Sequence, residues 1–144
     1  ALIGAVPNVL LAHPGFSGKS VQDLIASAKA KPGQLQYASA GNGTLNHLLG
    51  EMLNSMASIQ LQHVPYKGAA PALTDLISGQ IQVVFTSLPS VAQHIRSGTV
   101  KGLAVTGSKR ASAFKDIPTI AESGYPGFVI NPWFGLFASK GTPM

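Results

Sequence analysis

Residues Tyr37-Ala-Ser-Ala-Gly-Asn-Gly-Thr-Leu-Asn-His47 join a short apolar stretch to a strongly patterned helix through a loop of small residues. Leu45, Leu48, Leu49, Met52, Leu53 and Met56 recur at the spacing of one helical face, which predicts a helix starting near Thr44. Gly41 and Gly43 allow backbone conformations closed to other residues, and Thr44 stands where a side-chain oxygen caps a helix. The first amides of a helix have no partner inside it and carry partial positive charge. A strand, a glycine loop and an open helix start therefore make a seat for a carboxylate or phosphate, a signature of binding rather than catalysis. The plainer alternative is a tight turn and a cap with no ligand. Two nucleotide readings fail on spacing. Asn46 stands where a dinucleotide fingerprint needs its third glycine, and His13 stands where a P-loop ending in Gly18-Lys19-Ser20 needs its first.

Outward from this loop the chain alternates. Residues 9–12 read as a buried strand. Ser20 and Asp23 open a helix with Val21, Leu24, Ile25 and Ala28 on its apolar face, and Pro32-Gly33 stops it. Residues 35–38 form the strand before the glycine loop, and 59–64 the strand after its helix. Pro71 suits the first turn of a helix ending before Gly79, with Leu73, Leu76 and Ile77 inward. A strand at 81–85, a helix at 89–97 and a strand at 103–106 follow. Thr119 and Glu122 have capping-box spacing and predict a short helix ended by Gly124. Residues 128–130 and 133–138 read as extended.

This alternation predicts one α/β domain over residues 1–144, a largely parallel open sheet flanked by helices. Ligands in such sheets sit beyond the carboxyl ends of the strands. Loops 39–44, 65–70 and 86–89 leave strands there. If they meet, they form a polar crescent with one aromatic, Tyr66, one cation, Lys67, and two helix N-termini.

A chain of 144 residues can bury one core, and it is 45% hydrophobic but only 10% charged. Charged residues make up about a quarter of an ordinary soluble domain, so this surface is poor in charge, as when part of it is hidden against a partner or a second domain. No apolar run reaches about 18 residues, so no membrane-spanning helix is expected. The N-terminal Ala-Leu-Ile-Gly-Ala-Val-Pro lacks a basic leader and is not expected to be a signal peptide. The absence of cysteine excludes disulfides and thiolate chemistry without fixing the compartment. The net charge of +5 comes from scattered Lys and Arg, without the clustering and interleaved aromatics of a nucleic-acid surface. An acidic small molecule matches it better.

Other chemistries find little support. His13, His47, His63 and His94 have no metal-ligand spacing. Asp23 and Glu122 are explained as helix starts, leaving few carboxylates for a paired mechanism. A small hydrolase would need Ser39, His47 and Asp75 as nucleophile, base and orienter, but Ser39 lies between alanines and not in a nucleophile elbow. A third class is an interaction module that self-associates. Trp133 reads as core or interlobe packing rather than cleft lining.

Tyr37 to Thr44, then His63-Val-Pro-Tyr-Lys-Gly-Ala-Ala-Pro-Ala-Leu-Thr-Asp75 and Gly79-Gln-Ile-Gln-Val-Val-Phe85, carry a specific likeness that continues through Leu103-Ala-Val-Thr106, Asp116-Ile-Pro-Thr-Ile-Ala-Glu122 and Trp133-Phe-Gly-Leu136. In this order they resemble the solute-binding proteins of tripartite tricarboxylate transporters, the Bug family. The resemblance implies one lobe of a type II periplasmic-binding-protein fold, with the first lobe absent and residues 9–13 and 133–138 passing through the hinge. It implies a periplasmic, non-enzymatic protein without cofactor, which binds a small carboxylate or related metabolite and works with membrane permease subunits. An isolated lobe would be open to dimerisation through its exposed hinge face. By position, the ligand carboxylate would meet Ser39, Ala40, Gly41, Asn42, Gly43 and Thr44, with His47, Tyr66, Lys67, Thr86 and Ser87 around it. Thr86 falls where many relatives have an aspartate able to receive an amino group, which argues against an amino-acid ligand.

Overall fold

The computed structural model describes residues 1–143. Strand β1 (Leu2–Ala5) leads to β2 (Asn8–Ala12). The chain then alternates through α1 (Val21–Ala30), β3 (Gln36–Ser39), α2 (Leu45–Ala57), β4 (Gln62–Pro65), α3 (Ala69–Ser78), β5 (Val83–Ser87), α4 (Leu88–Arg96) and β6 (Lys101–Val105), before β7 (Trp133–Gly135). Five strands form one sheet in the order β4-β3-β5-β2-β6. Strands β3, β4 and β5 run parallel, as connections through helices require. Strand β2 runs antiparallel to both β5 and β6, so the sheet is mixed.

An apolar run with no polar side fits only inside a sheet covered on both faces, and β2 lies there. Val9, Leu10 and Leu11 have no exposed surface, and each such burial contributes about 1.5–3 kcal/mol. Alternation divides them. Leu10 joins Leu24, Tyr37, Leu53 and Phe85 in the core under α1 and α2. Val9 and Leu11 join Leu76, Val84 and Val91 in the core under α3 and α4. Helix α1 buries Val21, Leu24, Ile25 and Ala28 and carries a full capping box: Ser20 Oγ accepts from the Asp23 N–H at 3.1 Å, and Asp23 Oδ2 accepts from the Ser20 N–H at 3.2 Å.

The buried face of α2 differs from the one its large apolar residues predict. It consists of Leu49, Gly50, Leu53 and Ala57, while Leu45, Leu48 and Met56 are exposed. The reason is Gly50. The Tyr37 ring lies against it, where a Cβ would overlap the ring. The Tyr37 hydroxyl reaches past the helix and donates to Glu51 Oε1 at 2.6 Å. Burial, and then this bond to Glu51, push the hydroxyl well above its ordinary pKa.

Three further expectations change. Thr119 and Glu122 exchange their capping bonds, at 2.8 and 3.0 Å, but the residues beyond form a turn and not a helix. The Glu122 carboxylate also binds Arg110, and Thr119 is drawn beside β6 by a parallel bridge to Val105. Residues 128–130 form no strand, although Phe128 is fully buried and the Ile130 N–H donates to the Thr106 carbonyl at 2.8 Å. Finally, β1 pairs antiparallel with β7 in a separate two-stranded ribbon. Leu2, Ile3, Trp133, Phe134, Leu136 and Phe137 are exposed on and beside it. Residues 9–12, expected as a buried strand, form the fully buried β2, and Trp133 is 58% exposed on the ribbon.

Gly50→Ala is expected to destabilise the lobe by about 1–3 kcal/mol through overpacking. The helix-propensity gain of about 1 kcal/mol is outweighed because the obstacle is a ring fixed between helix and sheet. Leu48→Ala, on the exposed side of α2, should change stability by less than about 0.5 kcal/mol. Urea denaturation midpoints check both. Equal effects would mean that Tyr37 does not press on the helix at Gly50.

Candidate functional site

The register brings one set of chain ends together. Asn8 lies opposite Ser87, and Ser39 opposite Pro65, so the start of β2 and the ends of β3, β4 and β5 share an edge. Helices α2, α3 and α4 begin at that edge behind Thr44, Gly68 and Ser87, and none has a side-chain cap. The Thr44 hydroxyl, expected to cap α2, instead donates back to the Gly41 carbonyl at 2.7 Å. Helix α1, which follows the opposite end of β2, is the capped one.

A cleft of about 370 Å³ opens where these ends meet. The strand ends contribute Asn8, Thr86 and Ser87, and the β3–α2 loop contributes Ala40. The first turns of all three helices contribute as well: Leu45 and Asn46 from α2, Ala69 from α3 and Ser90 from α4. Pro132, Trp133 and Phe134 close one side. Among the described residues no charged side chain lines it. A concavity of about 390 Å³ beside the 107–113 loop is as large, but of the three helix starts only that of α4 opens on it. Its Arg110 is already paired with Glu122, Nε to Oε2 3.1 Å.

Of the residues that the sequence placed around a ligand, Ala40, Thr86 and Ser87 line this cleft. Ser39 and His47 stand behind it and hold the loop. The Gly41 N–H donates to Ser39 Oγ at 3.1 Å, and the Gly43 N–H donates to His47 Nδ1 at 3.0 Å. Gly41 and Gly43 have φ of 143° and 76°, a region that favours glycine, so the loop depends on both. Asn42 is exposed and outside the cleft. Tyr66 packs into the core under α3 and donates its hydroxyl to Asp75 Oδ2 at 2.6 Å. Burial and that bond push it up to about 12. Lys67 is exposed and does not line the cleft, so the expected cation is missing and a third helix start takes its place.

Sequence reasoning missed Asn8, Asn46 and Ser90. Asn46 Nδ2 donates to the Phe85 carbonyl at 2.7 Å and ties the start of α2 to the end of β5. For Asn8 the signal was a polar residue abutting an apolar run, but nothing in the sequence gave the direction of β2.

Ser39 and His47, the pair on which a hydrolase would rest, are not bonded to each other. Ser39 Oγ lies 2.6 Å from Nε2 of His63, and Ser39 has no exposed surface for a substrate to reach. Asp75, its third member, is occupied by Tyr66. The His63 ring stacks on His47, with centroids 3.9 Å apart and planes 6° from parallel. Burial, then the neighbouring His47, hold the His63 imidazole below its ordinary pKa, with Glu51 opposing weakly. Because His47 accepts at Nδ1, its proton lies on Nε2 in this network.

A histidine with a depressed folded pKa binds fewer protons folded than unfolded. Its contribution to stability is therefore full above the unfolded value of about 6.5 and is lost as pH falls from there toward the folded value. The melting temperature is expected to fall between about pH 7 and pH 5, and His63→Gln should flatten that dependence. Identical slopes for both proteins would exclude His63 as its source.

Comparison with known proteins agrees with this architecture. Residues 1–144 match the family described as "Tripartite tricarboxylate transporter family receptor". The protein BugT of Bordetella pertussis is 40% identical over 142 residues, covering 99% of this chain and 44% of BugT. Among solved structures, R. palustris Rpa4515 with adipate superimposes with TM-score 0.94 at 37% identity, covering 99% of this chain and 48% of that one. MatC from Rhodopseudomonas palustris with bound malate gives 0.91 at 32% identity, covering 99% and 49%. The chain thus spans somewhat under half the length of these relatives. The family is one of solute receptors and not of enzymes, which removes the hydrolase alternative. With its α/β lobe, its cleft at the strand ends and a match along its whole length, this chain belongs to the tripartite tricarboxylate transporter receptor family.

Proposed function

We propose that this chain is the second, ligand-holding lobe of a two-lobed periplasmic receptor that captures a small carboxylate and presents it to the membrane permease subunits of a tripartite tricarboxylate-type transporter. The observation that carries this reading is the convergence of three uncapped helix N-termini on a cleft without a charged side chain. Each helix start bears roughly half a unit of positive charge, and an N–H bond to an ionised group is worth about 1.5–3 kcal/mol. The adipate and malate held by two similar structures are dicarboxylates, which supports the ligand class. In this reading Ala40, Thr86 and Ser87 meet the ligand, while Ser39, Gly41, Gly43, Thr44 and His47 keep the loop in shape. Asn42, Tyr66 and Lys67 stand outside the contact.

The two-lobed reading is supported by the share of its relatives that the chain spans and by the β1–β7 ribbon. The ribbon's exposed apolar side chains suit a surface that the first lobe covers. A lobe cut away from its partner would be able to self-associate there.

Calorimetry on the two-lobed protein with adipate and malate, set against their diamides, tests the proposal. The acids should bind at least about tenfold tighter, the worth of one lost charge-assisted bond. The isolated lobe should bind far more weakly, because its cleft is open on one side. Equal affinity for acids and amides would overturn the carboxylate reading. Tight binding by the lobe alone would overturn the two-lobed clamp.

A further inference from the structure

Strand β3 keeps to β5 only where Tyr37 lies opposite Val83 and Ala38 opposite Val84. At Ser39 it stays with Pro65 of β4 and then turns into the glycine loop, so the end of β5 loses its neighbour on that side. Phe85 stands at this break with no exposed surface, and its carbonyl would be buried and unpaired there, which is costly. Asn46 supplies the missing donor, with Nδ2 2.7 Å from that oxygen. A side chain in the first turn of α2 thus takes the place of an absent strand.

The bond joins two of the helix starts at the cleft. Phe85 is followed by Thr86 and by Ser87, behind which α4 begins, while Asn46 is the second residue of α2. The other links at this edge run from backbone to backbone. The Gly68 N–H that precedes α3 donates to the Ala40 carbonyl at 3.1 Å, and the Leu88 N–H of α4 donates to the Pro7 carbonyl at 3.0 Å. Elsewhere on α2, Glu51 accepts from Tyr37, and Asn54 donates to the Leu61 carbonyl. Among the described residues no other side chain of α2 bonds β5 or α4. What remains between α2 and β5 is apolar packing of Leu49 and Leu53 in the core that contains Phe85. Such packing holds the helix down but has no direction, so it does not fix where the helix start points.

We infer that Asn46 is a positioning residue for anion capture: its bond to the Phe85 carbonyl keeps the starts of α2 and α4 aimed at one point in the cleft, and the receptor's preference for an ionised ligand over its neutral analogue depends on that aim. The inference rests on the carboxylate reading above. Asn46 itself brings no charge. The pull of a helix start on an anion falls off within the first turn, and N–H bonds weaken steeply away from good geometry. Donors already in place also need no ordering when the ligand arrives. A start of α2 freed from β5 loses the part of the binding that belongs to charge. Contact with the ligand's carbon chain, being non-directional, changes little.

Calorimetry on the two-lobed protein with adipate and malate, each set against its diamide, gives the parent's acid-to-amide affinity ratio, expected at about tenfold or more. Asn46→Leu keeps the volume of the side chain and removes the donor, and Asn46→Ala removes it while favouring the helix. Each should reduce the ratio to under about threefold through weaker binding of the acid. Either variant decides the matter if the other fails to fold. A merely structural role would lower the melting temperature and leave the ratio where it is. That result would overturn the inference while the carboxylate reading stands. A crystal structure of the two-lobed protein with the acid that binds should keep Asn46 Nδ2 on the Phe85 carbonyl. An amide turned onto the ligand would overturn positioning in favour of direct contact. If the parent itself binds acid and diamide alike, the carboxylate reading fails and the inference with it.

Discussion

No side chain caps α2, α3 or α4; the Leu88 N–H that opens α4 is met by the Pro7 carbonyl at 3.0 Å, and much of the lobe is arranged around the helix starts that have no cap. A capping side chain contributes about 0.5–2 kcal/mol to a helix, and α1 takes that stabilisation in full with Ser20 and Asp23. The three helices at the cleft forgo it. Local rules of good folding fail in just this way where a protein keeps groups free for a ligand. Thr44 makes the point most directly, since it has the right side chain in the right place and turns it toward the Gly41 carbonyl.

That arrangement depends on the direction of β2. Were β2 parallel to its neighbours, its carboxyl end would lie at the cleft and His13 would follow there. Running antiparallel, it delivers its first residue, Asn8, between the ends of β5 and β6. Complete burial of Val9, Leu10 and Leu11 makes the placement rigid. The chain 98 residues later, through Thr106, fastens the same edge.

Behind the cleft, a second layer keeps the β3–α2 loop in one shape. Tyr37 presses on Gly50 and bonds Glu51, while His63 stacks between Tyr37 and His47, with centroids 5.0 and 3.9 Å away. Ser39 joins His63 to Gly41, and His47 receives the Gly43 N–H. Ser39 and His47, which looked like candidate ligand contacts or a catalytic pair in the linear sequence, each accept a hydrogen bond from an amide of that loop.

The sequence by itself determined the alternation of strands and helices, the capped start of α1, the glycine loop and the family likeness. These depend on short-range periodicity and on residues close together in the chain. It also pointed to Ala40, Thr86 and Ser87, which follow or end strands and so fall at a sheet edge whatever the sheet order. Tertiary structure decided the rest. The antiparallel sense of β2, its pairing with β5 and β6, and the union of β1 with β7 are contacts between residues about 70 to 135 positions apart, which no local pattern encodes. The buried face of α2 turned on a glycine that admits a ring, and periodicity of large apolar residues is blind to an absence of side chain. Thr119 and Glu122 formed their box without a helix, because a box needs a following amphipathic segment with a core to bury. Asn8 entered the site only because two strands brought it there.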